Sequence, residues 1–273
     1  MSHPPILLKD RGVVEVAGPD ASSFLQGLIT NDMTDVADGR AIYAALLTPQ
    51  GKIIHDFLIA QGTSEAFWLD CVRANAADLA ARLKKYKLRA KVTITDRSAE
   101  LHVIANGQAG VTFEDPRLPA LGTRAITTIP GDAQTDDSAY DEHRLLLGVP
   151  DAATDIPPET LFPLDCNFEE LHGVSFDKGC YVGQELTARM KHRATARRRM
   201  LPVTADAPLP PPGTPIKRSA TDIGELRGAI GNKGLALIRL DRLGDAKEAT
   251  AGDTPIRIGR PAYPLILPTG DSE

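Results

Sequence analysis

Apolar and polar positions follow two different periods along the first hundred residues. Residues 12–16 read as a short strand, and Pro19-Asp20-Ala21 opens a helix whose Phe24, Leu25, Leu28 and Ile29 share one face. Residues 41–47 and 53–60 are apolar β-type runs either side of Thr48-Pro49-Gln50-Gly51-Lys52, where Pro and Gly make a hairpin the simplest connection. Another strand is expected over 67–72, then a helix over 76–88 with Leu79, Leu83 and Tyr86 at helical spacing, then strands over 91–95 and 101–105. Locally paired strands with helices laid across them predict an α+β region.

Between 107 and 141 periodicity fades and Gly, Pro, Asp and Thr accumulate, which predicts a small loop-rich subdomain. A helical pattern resumes over 141–147, and Pro157, Pro158 and Pro163 break the chain. Pro208, Pro210, Pro211, Pro212 and Gly213 mark a wide turn before short strand-like runs at 229–230, 236–240, 255–258 and 264–267. A separate C-terminal β-barrel is the economical reading. Four segments follow: an α+β region over 1–100, a small loop-rich α+β subdomain over 101–145, a return segment over 146–199, and the barrel over 200–273.

Composition adds limits. The 273 residues carry 31 Lys and Arg against 36 Asp and Glu, a net charge of −5, which excludes a generally basic nucleic-acid binder. With 42% hydrophobic and 25% charged residues, a packed core is expected rather than a disordered polyelectrolyte. Position matters more than the total: residues 79–95 hold Arg82, Lys84, Lys85, Lys87, Arg89 and Lys91 with no acid. Residues 178–199 hold seven basic residues, Arg193 among them, against Glu185 alone. If the two stretches converge they form a positive surface for an anionic ligand; otherwise each is the solvated face of a helix. Three cysteines, Cys71, Cys166 and Cys180, without a CxxC pair fit a reducing compartment. With neither a leader pattern at Met1-Ser2-His3-Pro4-Pro5 nor an apolar run of about 18 residues to span a bilayer, a cytoplasmic chain with no membrane partner is expected.

The most distinctive stretch runs from Gly173 to Arg189. Val174 and Phe176 flank Ser175 in strand-like alternation, Gly179 permits a sharp turn, and from Gln184 the composition is helical, with Glu185 and Arg189 at i, i+4. Cys180 is thus expected at the turn into a helix N-terminus, where the helix dipole and Lys178 favour the thiolate. The alternative is a buried small hydrophobe. No ligand spacing joins the cysteines and the six histidines, so no resident metal site is expected.

The run Lys178-Gly179-Cys180-Tyr181-Val182-Gly183-Gln184-Glu185 resembles the signature of the YgfZ-type folate-binding proteins, a family that includes iron–sulfur cluster assembly factors within the aminomethyltransferase (glycine cleavage T-protein) superfamily. Three further blocks carry the likeness: residues 18–32, residues 48–56, and Tyr86-Lys87-Leu88-Arg89-Ala90-Lys91-Val92. The resemblance implies a three-domain, aminomethyltransferase-like α+β ring with a C-terminal β-barrel and a cleft for tetrahydrofolate, with or without a polyglutamate tail. It implies Cys180, Lys178 and Asp56 as catalytic residues and Asp165, Asn167, Tyr181, Gln184, Arg189 and Asn31 as folate-binding ones. Asp165 stands where aminomethyltransferases use a longer Glu to hold the pterin ring; its other reading is a helix cap. His55-Asp56 replaces a pair of aspartates, Cys180 replaces an Asp, and Gln184 replaces a basic residue, so glycine cleavage is not expected. His55 is either a cleft residue or an ordinary strand position. Beyond Arg193, Ala194-Thr195-Ala196 stands where relatives continue with Gly. The implied function is a folate-dependent accessory role in iron–sulfur cluster assembly or repair that relies on Cys180. Its partners would be iron–sulfur assembly proteins or client enzymes. The alternative is a folate-dependent one-carbon transferase acting in tRNA modification, with transfer RNA as a partner.

Overall fold

A computed structural model describes residues 4–63, 65–192, 197–243 and 248–266. The chain divides into two compact units, residues 1–137 with 171–184 and residues 138–170 with 185–273. The N-terminal residues 1–3, Arg193 with the Ala194-Thr195-Ala196 departure, and Leu267 lie outside the described residues.

The first unit holds β1 (Ile6–Leu7), β2 (Arg11–Ala17), α1 (Ala21–Gln26), β3 (Ile42–Leu47), β4 (Ile53–Gln61), β5 (Ala66–Val72), α2 (Ala76–Tyr86), β6 (Thr93–Asp96), β7 (His102–Ala105), β8 (Val111–Glu114) and β9 (Thr123–Thr127). Strands β3-β4-β5-β2-β6 form a five-stranded antiparallel sheet. The β3–β4 hairpin closes at residues 48–52, where Gly51 takes φ +76° and its N–H donates to the Thr48 carbonyl at 2.8 Å.

Side-chain alternation divides the work of the sheet. One face presents Val14, Val16, Ala44, Leu46, Phe57, Ile59, Leu69 and Cys71 to Phe24 and Leu25 of α1 and to Leu79 and Leu83 of α2, forming the apolar core. Next to these positions, Arg11, Tyr43, Asp56 and Asp70 are buried on the other face, where Asp70 meets Arg124 of the second sheet. That second sheet has the order β1-β7-β9-β8 and is antiparallel throughout.

Two expectations change here. The stretch expected as a loop-rich subdomain supplies β8 and β9, where β9 pairs with both β8 and β7, and β7 in turn pairs with β1 from before the expected boundary near residue 100, so that boundary is crossed by one sheet of the first unit. Strands of four and five residues are too short for alternation to stand out from the surrounding Gly, Pro and Thr. The helix expected to reach residue 88 ends at Tyr86, because Leu88 adopts φ +42°, and Tyr86 is exposed rather than on the packed face.

The second unit contains α3 (Ser138–Leu147), α4 (Gln184–His192), β10 (Arg198–Ala205), β11 (Pro215–Arg218), β12 (Thr221–Ile230), β13 (Lys233–Arg239), α5 (Leu240–Leu243), β14 (Glu248–Ala251) and β15 (Thr254–Ile258). Gln184, the first residue of α4, is grouped with the first unit. The six strands close into a barrel in the order β10-β13-β12-β11-β14-β15. Leu201, Val203, Ile216, Ile223, Leu226, Ala236, Ile238 and Ile256 fill it. The barrel begins at Arg198, close to the expected boundary, whereas residues 138–170 join its unit instead of forming a separate return segment. The strand expected at 264–267 is absent among its described residues, 264–266.

Candidate functional site

Residues 171–184 return to the first unit and are tied down along the loop that follows α1. The Ser175 N–H donates to the Thr30 carbonyl at 3.0 Å. The Thr30 hydroxyl donates to the Gly173 carbonyl at 2.6 Å and accepts from the Ala45 N–H at 2.8 Å. The Asn31 amide donates to the carbonyls of His172 and Tyr43 at 2.7 and 2.8 Å, and its oxygen accepts from the Asp32 N–H. Asn31 therefore joins the returning segment to β3.

Lys178 is the central fastener. Its ammonium donates to the carbonyls of Gln26, Ile29 and Asn31 at 2.8, 2.8 and 2.7 Å, matching three donors to three acceptors at the end of α1. The nitrogen also lies 5.1 Å from the centre of the Tyr181 ring. Burial pulls the Lys178 pKa down to about 8, with the Asp32 carboxylate opposing the shift.

Further along the motif, Val182 packs against the apolar core. Gly183 takes φ +82°, and a Cβ there would lie 2.5 Å from the Thr48 carbonyl oxygen. Only glycine lets the loop approach the β3–β4 turn so closely. Gly179 is different: its φ is not positive and a Cβ would meet nothing within 4 Å, so the sharp turn expected there does not demand glycine. Between these anchors Cys180 is exposed, while Cys71 and Cys166 are buried, and burial pushes the Cys71 thiol up to about 12. α4 begins at Gln184, so Cys180 sits on the anchored loop, four residues ahead of the helix.

Strand β4 separates two residues that the sequence places side by side. His55 faces α2, where its Nε2 lies 2.9 Å from Asp78 Oδ2, and the same oxygen accepts from Arg82 Nε at 2.7 Å. Asp56 is buried on the opposite face and accepts a 2.8 Å hydrogen bond from the Tyr43 hydroxyl. Successive strand residues point to opposite faces, so His55 cannot act beside Asp56 as a substitute for a second aspartate.

A buried charge network lies beyond Tyr43. The Arg117 guanidinium is 5.7 Å from the Tyr43 ring centre and forks onto Asp115 at 3.0 and 2.7 Å. Asp115 also accepts from Arg124, which reaches Asp70 at 2.6 Å, and Asp70 in turn accepts from Arg11 at 2.7 Å. Burial opposes ionisation of Asp115, yet Arg117 and Arg124 hold its carboxyl down at about 2.

The remaining expected site residues belong to the second unit. Asp165 lies in the short 3-10 turn Pro163–Cys166; its Oδ2 accepts from Arg198 at 2.7 Å and, weakly, from the Phe162 N–H, the capping contact. Burial raises the Asp165 pKa against the pull of Arg198. Asn167, at φ +59°, donates to the Met200 carbonyl and the Tyr263 hydroxyl at 2.8 Å each, and its oxygen accepts from the Met200 N–H. Arg189 pairs with Glu185 on an exposed face of α4. The structure thus gathers Asn31, Lys178, Cys180 and Tyr181 on one loop system, links Asp56 to it through Tyr43, and places Asp165, Asn167 and Arg189 in the other unit. Nothing local marks Thr30, Tyr43 or Arg117 in the sequence, because the contacts that give them their place, Thr30 with Gly173 and Arg117 over the Tyr43 ring, join distant parts of the chain. No group of three or more His, Cys, Asp or Glu able to hold a metal occurs among the described residues.

Residues 9–106 match the GCVT N-terminal domain, and residues 197–264 match the CAF17 C-terminal beta-barrel domain. The fold resembles the glycine cleavage system aminomethyltransferase T from Bartonella henselae, with a TM-score of 0.71 over 96% of this chain and 86% of that one at 15% identity. That likeness shows a shared fold. The human protein named iron-sulfur cluster assembly factor IBA57, mitochondrial, is 36% identical over 276 residues, covering 86% of this chain and 77% of that protein. The Neurospora crassa homologue of the same name is 31% identical, covering 91% and 72%. The expected cytoplasmic location is corrected by these names, which are mitochondrial; sparse unpaired cysteines report a reducing environment and do not specify a compartment. On an aminomethyltransferase-like fold with a closed C-terminal barrel, and at this identity over most of both chains, the protein belongs to the IBA57 family of iron–sulfur cluster assembly factors.

Proposed function

We propose that this chain is a tetrahydrofolate-binding accessory protein that works with iron–sulfur assembly proteins or client enzymes and depends on Cys180. The observation that carries the reading is the presentation of Cys180. Lys178 secures the loop on one side, Val182 and Gly183 secure it on the other, and the thiol between them is exposed. A cysteine sulfur held at a fixed place and open to solvent suits transient bonding to a soft metal centre or to an electrophile. Lys178 positions that loop; its N–H donors are already matched by carbonyls.

Folate belongs to the same reading. The N–H edge of a pterin calls for a carboxylate acceptor, and Asp165 is a buried carboxylate already ordered by Arg198. Asn31, Tyr181 and Gln184 in the first unit and Arg189 in the second are the further proposed contacts, whereas the Asn167 amide is already matched by Met200 and Tyr263. Bound folate would supply a one-carbon carrier; the chain's own groups would orient it and exclude water. In a strain lacking the gene, Cys180→Ala should fail to restore iron–sulfur enzyme activity while Cys71→Ala restores it. Full restoration by Cys180→Ala would defeat the reading.

The second reading, a folate-dependent one-carbon transferase acting on transfer RNA, draws on Asp56, whose buried carboxylate beside the Tyr43 hydroxyl suits proton transfer. It predicts folate-dependent transfer from an aminomethyl-level donor by purified protein, abolished by Asp56→Asn and retained by Cys180→Ala.

A further inference from the structure

The turn that follows α2 presents an unusual surface. Lys84, Lys85, Lys87, Arg89 and Lys91 lie within eight residues, and none of these side chains forms an ion pair among the described residues. In their midst Leu88 is 90% exposed and Tyr86 41% exposed. Leu88 is held outward at φ +42°, a backbone region unfavourable for leucine. The turn is pinned from beneath: the Ala90 N–H donates to the Lys87 carbonyl at 2.8 Å, the Lys91 N–H donates to Asp20 Oδ2 at 2.7 Å, and Val92 is buried. A rigid apolar tip is therefore offered inside a ring of cations.

We infer that this turn docks on an anionic phospholipid surface, with Leu88 and Tyr86 entering the headgroup region and the cations facing lipid phosphates. Charge complementarity argues for an anionic surface, since five cations cluster on a chain whose net charge is −5. An RNA backbone would match the charge but leaves an outward leucine without a partner. A stable protein interface needs about 800 Å² per partner around an apolar centre. One exposed leucine and one half-exposed tyrosine supply too little, whereas a bilayer is deformable and needs no matching pocket. Tyrosine suits the interface, and each basic residue near an anionic bilayer strengthens binding about fivefold. No helix among the described residues is long and apolar enough to cross a membrane, so the contact is peripheral. It is independent of Cys180 and of the cluster-assembly reading.

Flotation of the full chain with phosphatidylcholine vesicles containing roughly one-third phosphatidylglycerol tests this, with pure phosphatidylcholine as the control. Binding should require the anionic lipid and fall steeply at about 0.5 M salt. Leu88→Ser should weaken it about tenfold, since it removes the buried apolar contact while replacing a side chain that packs on nothing in the fold. The pair Lys84→Glu and Lys85→Glu should abolish it, with circular dichroism verifying the fold. No flotation, or flotation that Leu88→Ser leaves unchanged, would overturn the inference. So would tighter binding of transfer RNA through the same lysines without dependence on Leu88, which would make the turn a nucleic-acid surface.

Discussion

Two glycines two residues either side of Tyr181 have opposite standing. Gly183 combines φ +82° with a Cβ position 2.5 Å from the Thr48 oxygen, so Gly183→Ala must move the loop off the β3–β4 turn. We expect it to cost about 2 kcal/mol or more in a urea titration. Gly179→Ala, in open space at an ordinary φ, should change the midpoint little. Thiol labelling follows the same local logic. In the folded protein a small alkylating reagent should modify Cys180 and spare Cys71 and Cys166, giving one equivalent in the wild type and none in Cys180→Ser. Mass spectrometry of the alkylated protein checks this; rapid modification of Cys71, whose thiol burial pushes up to about 12, would contradict it.

Among the elements, β4 and β5 show how alternation assigns chemistry. One face of the sheet is apolar beneath α1 and α2, and the other carries Asp56 and Asp70. Asp70 is the single carboxylate between Arg11 of β2 and Arg124 of β9, its side chain 0% exposed. Asp70→Asn would remove the buried carboxylate charge that Arg11 and Arg124 share, leaving Arg124 paired with Asp115, and should cost about 3–5 kcal/mol, measured by chemical unfolding. Most of these elements were legible in the sequence. The 41–60 hairpin, the 67–72 strand and the front of α2 read correctly because each runs long enough for its period to emerge. The strands β8 and β9 did not, being too short, and the end of α2 was set by the backbone of Leu88, which apolar spacing does not report.

For the molecule as a whole, the buried network ties stability to acid pH. The Asp115 carboxyl is held at about 2, below its ordinary 3.8, so its contribution is complete above about pH 4 and is lost as pH falls toward 2. The shift corresponds to about 2 kcal/mol. Stability measured between pH 5 and pH 2 should therefore fall more steeply in the wild type than in Asp115→Asn, which is weaker at neutral pH; parallel slopes would count against this assignment. Hydrophobic period and contiguous signatures are local properties of the chain, so the kind of fold, the place of the motif over residues 173–189 and the kinship with iron–sulfur cluster assembly factors were already written in the sequence. The folded packing settled which residues share a face and which groups are already engaged. It turned Lys178 inward onto carbonyls, parted His55 from Asp56, tied Asn31 to residues more than a hundred positions away, and left Cys180 and Leu88 outward. Those outcomes depend on burial and on partners distant in sequence, and a buried polar group settles where its hydrogen bonds can be met.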